Sequence, residues 1–161
     1  MAFRIETLSY PNGARLGICP LPGRGGAGMA DVATILRWSP DIVVSMTEMA
    51  EMARHGMDDL GGLLAEGGVG WAHFPIRDYA APDGPGDWPE LSARLHTILD
   101  AGGAVLAHCH GGQGRSGMVL LRLMVERGES PPSALERLRA QRPGAVETDA
   151  QFAWAAMGWS G

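Results

Sequence analysis

Apolar and polar positions alternate along the chain with two periods, a short one typical of strands and a longer one typical of helices. Five short apolar runs, most of them bounded by Gly, Pro or Asp, predict strands. These predicted strands cover residues 3–7, 14–19, 42–46, 69–74 and 104–108. Strands separated by helical segments, as here, typically form a mainly parallel sheet with helices packed on it.

Apolar residues between these runs recur at spacings of three and four, which predicts amphipathic helices. The clearest start signal is Asp87, a helix-capping residue type followed by Pro89 and Glu90, and it predicts a helix that ends near residue 100. The segment 116–127 is apolar on most faces, which indicates a helix buried at the centre of the fold. Other helices are predicted at 31–38, from 47 onwards, at 58–66, from 130 to before 143, and from 148 onwards.

A chain of 161 residues, 45% of them apolar, is long enough for one sizeable core and short for two. No linker, internal repeat or low-complexity segment interrupts it. We therefore predict a single α/β domain over residues 1–161, with a central, mostly parallel sheet of four to five strands flanked by helices.

Charge and apolar content argue against several kinds of partner. The net charge is -5, and the 13 basic residues, all of them Arg, are scattered among acids, so neither nucleic acid nor a membrane surface is expected. No apolar stretch approaches the roughly 20 residues that span a bilayer, and the first residues lack the pattern of a signal peptide. A cytoplasmic location is expected, whereas the oligomeric state stays open.

The two cysteines, Cys19 and Cys109, are too few for a disulfide framework and lack the paired spacing of a zinc site. Cys19 ends an apolar run, which favours a buried structural thiol, and a disulfide with an oxidised Cys109 is the alternative left open. Zinc ligation by His108, Cys109 and His110 is disfavoured because neighbouring residues that leave a strand point to opposite sides. We therefore expect no metal and no cofactor.

The stretch HCHGGQGRSG, residues 108–117, places Cys109 in the turn between a predicted strand and a predicted helix. Its three central glycines allow consecutive backbone N–H groups to point inward, and the helix N-terminus adds partial positive charge. Arg115 can offer a planar pair of donors to two oxygens of one tetrahedral anion. This turn, the signature loop (residues 109–115), is thus predicted to hold an anion and to favour the nucleophilic thiolate form of Cys109. The alternative is a glycine-rich turn around an inert, buried cysteine.

The order His-Cys, five residues, Arg and Ser resembles the signature of the cysteine-dependent protein phosphatases. The segments LGICPLPGR, HFPIRDYAAPD and LRAQRPGAVETDAQ resemble, in the same order, segments of the kinase-associated phosphatase group, a dual-specificity branch. The resemblance implies a protein tyrosine phosphatase-like fold in which Cys109 attacks phosphorus and forms a phosphocysteine. It also implies that Ser116 hydrogen-bonds the departing thiolate and that His108 orients the loop. The implied phosphate-binding residues are His110, Gly111, Gly112, Gln113, Gly114 and Arg115.

The leaving oxygen of such a reaction needs a proton donor, for which the sequence offers Asp78, Asp83 and Asp87. In related phosphatases the acid follows a Pro-x-x unit on a mobile loop, a pattern that favours Asp78 in PIRDYAAP. Asp87 is better explained as a helix cap, and Asp83 as part of a Pro-Asp-Gly turn.

The residue that positions the hydrolytic water is left open by the sequence. Tyrosine-specific relatives often carry Gln immediately before the Thr of the C-terminal segment, and here that residue is Glu147. Gln151 and Gln113 are the remaining candidates, with a place on the helix surface as the alternative for Gln151. The loop also lacks the Lys residues that phosphoinositide-directed relatives use.

The residues and the resemblance together predict a metal-independent phosphatase whose partner is a phosphoprotein or phosphopeptide. Phosphotyrosine is the expected substrate, and dual specificity is left open. One alternative is hydrolysis of a small phosphate, such as an inositol phosphate or a nucleotide, which the missing Lys residues disfavour. The other is a module that binds phosphoproteins without turnover, which Cys109, Arg115 and an available Asp disfavour.

Overall fold

The computed structural model describes residues 2–161 and has a five-stranded sheet at its centre. The strands are β1 (Glu6–Ser9), β2 (Arg15–Cys19), β3 (Ile42–Ser45), β4 (Gly70–His73) and β5 (Ala104–His108), lying side by side in the order β1-β2-β5-β3-β4. Four strands run parallel, and β1 pairs antiparallel with β2 at one edge. The predicted α/β fold with a mostly parallel sheet is confirmed.

The register of the central strands brings their carboxyl ends to the same level. His108, the last residue of β5, pairs with Cys19 of β2 on one side and with Ser45 of β3 on the other. The segments that follow these three strands therefore meet at one edge, the place where open α/β sheets bind ligands. The signature loop leaves β5 at this edge.

The first strand lies further along the chain than the apolar pattern predicts. The bounds 3–7 are wrong, since β1 spans Glu6–Ser9 and pairs with residues 15–18. A tight turn fixes this register, because Tyr10 N donates to Ala14 O at 2.9 Å and Gly13 N donates to Tyr10 O at 3.0 Å. The geometry of the hairpin turn, rather than the apolar run, decides which residues pair.

Helices cover both faces of the sheet. One face carries α1 (Gly28–Trp38), α2 (Met49–Arg54) and α3 (Leu60–Glu66), and the other carries α4 (Trp88–Asp100), α5 (Gly114–Glu126), α6 (Pro131–Gln141) and α7 (Asp149–Ala156). Each of these helices corresponds to a predicted one, although α1 begins three residues before the predicted start at residue 31. Asp87 precedes α4 as predicted, but its side chain makes no capping hydrogen bond.

The predicted central helix is α5, which is buried along nearly its whole length. The sheet covers one side of α5, while α6 and α7 cover the other, so almost every position must be apolar or small. Thr148 caps α7, since its Oγ1 accepts a hydrogen bond from Gln151 N at 3.1 Å. Across residues 2–161, no helix is both long and apolar enough to cross a membrane.

Candidate active site

The signature loop connects β5 to α5, and its first residue, Cys109, is only 2% exposed. The Cys109 Sγ lies 3.1 Å from the hydroxyl oxygen of Ser116, on the first turn of α5. Gly112 has a φ of 70°, and a Cβ built there would lie 2.6 Å from the carbonyl carbon of Cys19. Both the left-handed backbone and the close approach to β2 therefore require glycine at this position.

Hydrogen bonds from outside the loop hold its carbonyl groups. Leu21 N donates to the carbonyl oxygen of His110 at 3.1 Å. Arg142, just after α6, donates to the carbonyl oxygens of Gly112 and Gly111, each at 2.9 Å. The backbone N–H groups of residues 110–113 donate to no acceptor among residues 2–161. A loop with bound carbonyls and free N–H groups is suited to holding an anion.

Arg115, the last residue of the signature loop, is buried, and most but not all of its guanidinium N–H groups have a hydrogen-bond partner. Its two Nη atoms donate to the two carboxylate oxygens of Glu51, each at 2.8 Å, and Nη1 also donates to Ile76 O at 2.9 Å. The buried Nε–H has no partner among residues 2–161. Burial alone lowers the pKa of Arg115, but the hydrogen bonds to Glu51 and the negative charges of Cys109, Glu51 and Asp78 outweigh it, so the pKa is raised. A permanent cation with a free buried donor favours an anionic ligand.

Glu51 is a functional residue that the sequence reasoning missed. It lies in the first turn of α2 and is 9% exposed, and its Oε2 also accepts a hydrogen bond from Glu48 N at 2.8 Å. Burial raises the pKa of Glu51, but the hydrogen bonds from Arg115 and Glu48 lower it further than burial raises it. The signal available in the sequence was only general, since a buried guanidinium requires a carboxylate partner without indicating which one.

Asp78 is the one predicted acid that lies beside Arg115. Its Oδ1 is 3.3 Å from Arg115 Nη2, and its side chain is half-exposed. The same oxygen accepts a hydrogen bond from Tyr79 N at 3.0 Å. Asp83 and Asp87 are exposed on the same loop between β4 and α4 and form no ion pair with Arg115. The structure thus places one half-exposed carboxylate beside Arg115, at the end of the signature loop.

His108 belongs to a chain of buried hydrogen bonds. Trp71 Nε1 can only donate, and it donates to the hydroxyl oxygen of Ser45 at 2.8 Å. The Ser45 hydroxyl then donates to His108 Nε2 at 2.5 Å, which leaves the proton of the ring on Nδ1, 3.3 Å from the carbonyl oxygen of Cys109. Burial lowers the pKa of His108 to about 4, so the ring is neutral at pH 7. His108 therefore orients the start of the signature loop without adding charge.

Gln151 is fully buried, so the alternative that placed it on the helix surface is wrong. Its Oε1 accepts hydrogen bonds from Glu147 N at 2.8 Å and Thr148 N at 3.2 Å. Its Nε2 donates to Ala80 O at 3.2 Å, on the loop that carries Asp78. The side chain thus joins the start of α7 to the Asp78 loop.

Gln113 lies within the signature loop, and Glu147 lies at its edge. Gln113 packs with its side chain against Gly144. Glu147 is exposed, and its Oε1 contacts Gly114 so closely that a Cβ on Gly114 would collide with it. A carboxylate therefore stands at the edge of the loop, where tyrosine-specific relatives often have an amide.

Comparison with known proteins agrees with this geometry. A family model described as "Tc-R-P: Polymorphic toxin system, DSP-PTPase phosphatase" matches residues 23–129, which is more than half of the chain. The chain belongs to the dual-specificity phosphatase family. It is 31% identical over 149 residues to the rat protein named cyclin-dependent kinase inhibitor 3, covering 85% of this chain and 68% of that protein. The predicted resemblance to the kinase-associated phosphatase group is confirmed.

Solved structures of other proteins share the fold. Kinase-associated phosphatase, with its catalytic-site cysteine replaced by serine, superposes with a TM-score of 0.83 at 26% identity, covering 96% of this chain and 93% of that one. The active form of Tk-PTP superposes with a TM-score of 0.70 at 32% identity, covering 86% and 87% of the two chains. This protein is therefore a hydrolase of the protein tyrosine and dual-specificity phosphatase type.

Proposed function

We propose that this dual-specificity phosphatase hydrolyses phosphoproteins without a metal ion, through a phosphocysteine on Cys109. The observation that carries the proposal is the buried Arg115 guanidinium, whose free Nε–H lies beside a loop of unbound N–H groups. Together these donors would surround the three non-bridging oxygens of a phosphoryl group. The Cys109 sulfur would lie behind the phosphorus, in line with the leaving oxygen.

In the first step, the Cys109 thiolate attacks phosphorus and the bond from phosphorus to the substrate oxygen breaks. That oxygen takes the electron pair and receives a proton from the Asp78 carboxyl group, which lies 3.3 Å from Arg115. The alcohol or phenol leaves, and the phosphoryl group is bonded to sulfur. Asp78 is now a carboxylate.

In the second step, water attacks phosphorus while the Asp78 carboxylate takes its proton. The bond between phosphorus and sulfur breaks, and the electron pair returns to Cys109 Sγ. The Ser116 hydroxyl, 3.1 Å away, donates a hydrogen bond to the thiolate as it departs. Inorganic phosphate is released, and the enzyme is back in its starting form.

The proposed substrate is phosphotyrosine in a protein or peptide, with phosphoserine and phosphothreonine as a second class to be measured. Similarity to a kinase-associated phosphatase supports a phosphoprotein rather than a free metabolite. The chain also lacks Lys, which disfavours a highly charged inositol phosphate or a nucleotide. A panel of phosphotyrosine, phosphoserine and small phosphate substrates distinguishes these classes.

The mechanism is tested with Cys109→Ser and, as a matched control, Cys19→Ala, which removes the other thiol. In the presence of EDTA, we expect wild type and the control to hydrolyse p-nitrophenyl phosphate and to be inhibited by vanadate. Cys109→Ser should lose turnover by roughly 10⁴-fold or more while still binding vanadate. Acid quenching during turnover should trap a phosphoryl group on wild type and none on Cys109→Ser. Turnover by Cys109→Ser at the wild-type rate, or activity abolished by EDTA, would contradict the mechanism.

A further inference from the structure

A long loop joins β4 to α4, and this Asp78 loop (residues 74–87) contains no helix or strand. Its first part continues alongside the end of β3, since Phe74 N donates to Ser45 O at 2.9 Å and Ile76 N donates to Met46 O at 3.0 Å. Surface loops are otherwise the most mobile parts of a domain. The part beyond Ile76 therefore needs further contacts if it is to keep a side chain in a fixed place.

Asp78 lies at the centre of a tight turn in this loop. Ala80 N donates to Arg77 O at 3.0 Å and closes the turn, and Tyr79 N donates to Asp78 Oδ1 at 3.0 Å. Tyr79 has a φ of 64°, a left-handed conformation that is uncommon outside glycine and strained for a bulky side chain. A strained turn persists only where the surrounding structure holds it.

Two buried side chains hold this turn, one on each side. Before the turn, Arg115 Nη1 donates to Ile76 O at 2.9 Å. After it, Gln151 Nε2 donates to Ala80 O at 3.2 Å. Among residues 2–161, no other hydrogen bond joins residues 79–84 to the chain outside the loop. The two alanines of this segment are small, so few apolar contacts supplement the hydrogen bond from Gln151.

The neighbours of the Gln151 amide allow it only one orientation. The side chain is fully buried, and its Oε1 accepts the N–H groups of Glu147 and Thr148, so a flipped amide would place its NH2 group against two donors. Gln151 N donates to Thr148 Oγ1 at 3.1 Å, which fixes the residue at the start of α7. A Cβ built on Gly114 would lie 3.1 Å from Gln151 Nε2. The same NH2 group therefore lies against the signature loop and binds the Asp78 loop.

These contacts make Gln151 unsuited to positioning the hydrolytic water. An amide oxygen that orients water accepts a hydrogen bond from it, and the Oε1 of Gln151 already accepts two hydrogen bonds from the backbone. The NH2 group, in contrast, is bonded to the backbone two residues after Asp78. The geometry thus connects Gln151 with the acid rather than with the water.

We propose that Gln151 is a positioning residue for the proton donor: its Nε2–H holds the Ala80 carbonyl and thereby keeps the Asp78 carboxyl group beside Arg115. This inference rests on the proposed function, because it assigns a residue that acts through the proton donor of that mechanism. A carboxyl group transfers its proton only within hydrogen-bond reach of the leaving oxygen. A displacement of about 1 Å can cost on the order of 10²-fold in rate. Loss of the Gln151 hydrogen bond should therefore slow the step that uses the Asp78 proton.

The test uses two variants that remove the donor to Ala80 O. Gln151→Glu keeps an acceptor for the two N–H groups at the start of α7, and Gln151→Met is uncharged and similar in volume. For both we expect kcat/KM on phenyl phosphate, whose leaving oxygen needs a proton, to fall about 30-fold. On p-nitrophenyl phosphate the loss should be about threefold at most, because p-nitrophenolate hardly needs a proton. Equal losses on the two substrates in both variants would overturn the inference.

A double-mutant cycle shows whether Gln151 acts through Asp78. If it does, Gln151→Glu should slow Asp78→Asn by no more than about threefold on phenyl phosphate, because the proton donor is already absent. Losses that multiply in the double variant would overturn the inference. An unchanged kcat/KM in the Gln151 variants, with phosphocysteine accumulating after acid quenching, would overturn it in favour of a role in positioning water.

Two control variants separate this contact from general effects. Thr148→Ala removes the cap of α7 but not the bond to Ala80, and Gln141→Glu makes the same change of charge at the exposed end of α6. Both should keep the wild-type dependence on the leaving group. A selective loss in Thr148→Ala as large as that in Gln151→Glu would overturn a specific role for the Gln151 amide.

Amide hydrogen exchange measures the same contact without relying on activity. Residues 77–84 should exchange faster in Gln151→Glu than in wild type, whereas β5 should not change. Unchanged exchange in residues 77–84 would overturn the inference. Faster exchange there, combined with no hydrolysis of either substrate by wild type, would overturn the proposed function and leave the contact between Gln151 and the Asp78 loop standing.

Discussion

Arg115 and Glu51 form a two-point ion pair in which each Nη nitrogen lies 2.8 Å from one carboxylate oxygen. This geometry fixes the plane of the guanidinium and leaves its buried Nε–H without a partner among residues 2–161. Because the pair is buried, each partner depends on the other to offset the cost of leaving water. The orientation of the anion-binding side chain is thus set by a residue on a different helix.

Glu51→Gln should impair both catalysis and stability. The change removes the charge and one of two acceptors, so we expect kcat on p-nitrophenyl phosphate to fall on the order of 10²-fold through misorientation of Arg115. Leaving a buried guanidinium without its counter-charge should cost about 3–5 kcal/mol of unfolding free energy, measured by urea denaturation at pH 7. Glu66→Gln, at the exposed end of α3, is the control and should keep both values. Wild-type kcat in Glu51→Gln would show that Arg115 does not need this partner.

Asp78→Asn should have the largest effect on substrates with poor leaving groups. A leaving oxygen of high basicity needs a proton in the transition state, whereas p-nitrophenolate hardly needs one. We expect a loss of about 10²-fold or more on phenyl phosphate and a much smaller loss on p-nitrophenyl phosphate. Asp83→Asn, on the same loop, should follow wild type. If Asp83→Asn shows the steeper dependence instead, the proton donor has been assigned to the wrong residue.

Glu147→Gln should improve substrate binding. The Glu147 carboxylate contacts Gly114 at the edge of the signature loop, where its charge repels a phosphate dianion. Removing that charge at an exposed site is expected to lower KM about fivefold, equivalent to about 1 kcal/mol. Asp149→Asn, an exposed acid at the start of α7, is the control for a general change of net charge. Equal decreases in KM for the two variants would indicate a long-range effect instead of a local one.

Glu126→Gln should reduce stability in a pH-dependent manner. Burial raises the pKa of Glu126, but hydrogen bonds from His96, Trp88, Arg122 and Ser92 lower it to about 2. Since the folded-state pKa lies below the unfolded value of about 4.5, this stabilisation is complete above pH 4.5 and is lost as the pH falls towards 2.

At pH 7 we expect Glu126→Gln to lose about 1–3 kcal/mol of unfolding free energy, allowing for the partial exposure of the site to solvent. The difference from wild type should shrink below pH 4. Glu90→Gln, exposed on the first turn of α4, should stay close to wild type. A difference that is constant from pH 7 to pH 3 would exclude the titration of Glu126 as its cause. Chemical denaturation at several pH values provides the measurement.

The parts of the fold that depend on local pattern could be predicted from the sequence. The bounds of β5 agree with the prediction, because the apolar run is bounded by glycine on one side and by the cysteine turn on the other, which fixes both ends of the strand. The signature loop could be predicted equally well, because Cys109, the glycines and Arg115 lie close together in the sequence. In contrast, the predicted bounds of β1 are wrong, because its pairing is decided by a turn and by its partner strand. Hydrophobic periodicity gives no information about either.

Contacts between distant segments account for what the sequence did not reveal. Glu51 binds Arg115 at two points, Ser45 hydrogen-bonds His108, and Trp71 hydrogen-bonds Ser45. Nothing in the local sequence of these three residues distinguishes them from other buried or capping residues. The sequence leaves the positioning of water open between Gln151 and Gln113, and the structure shows the Gln151 amide engaged with backbone groups on both sides. Side-chain partners of this kind depend on the three-dimensional arrangement of strands and helices.

The outward-facing carbonyl groups of the signature loop limit how far this motif can be transplanted. Leu21 and Arg142 hold them from opposite ends of the chain, while Ser45 and Glu51 hold His108 and Arg115. A short peptide carrying HCHGGQGRSG, or a graft of those ten residues into an unrelated scaffold, would lack all four supports. Engineering this chemistry elsewhere would require moving the surrounding framework along with the ten-residue motif.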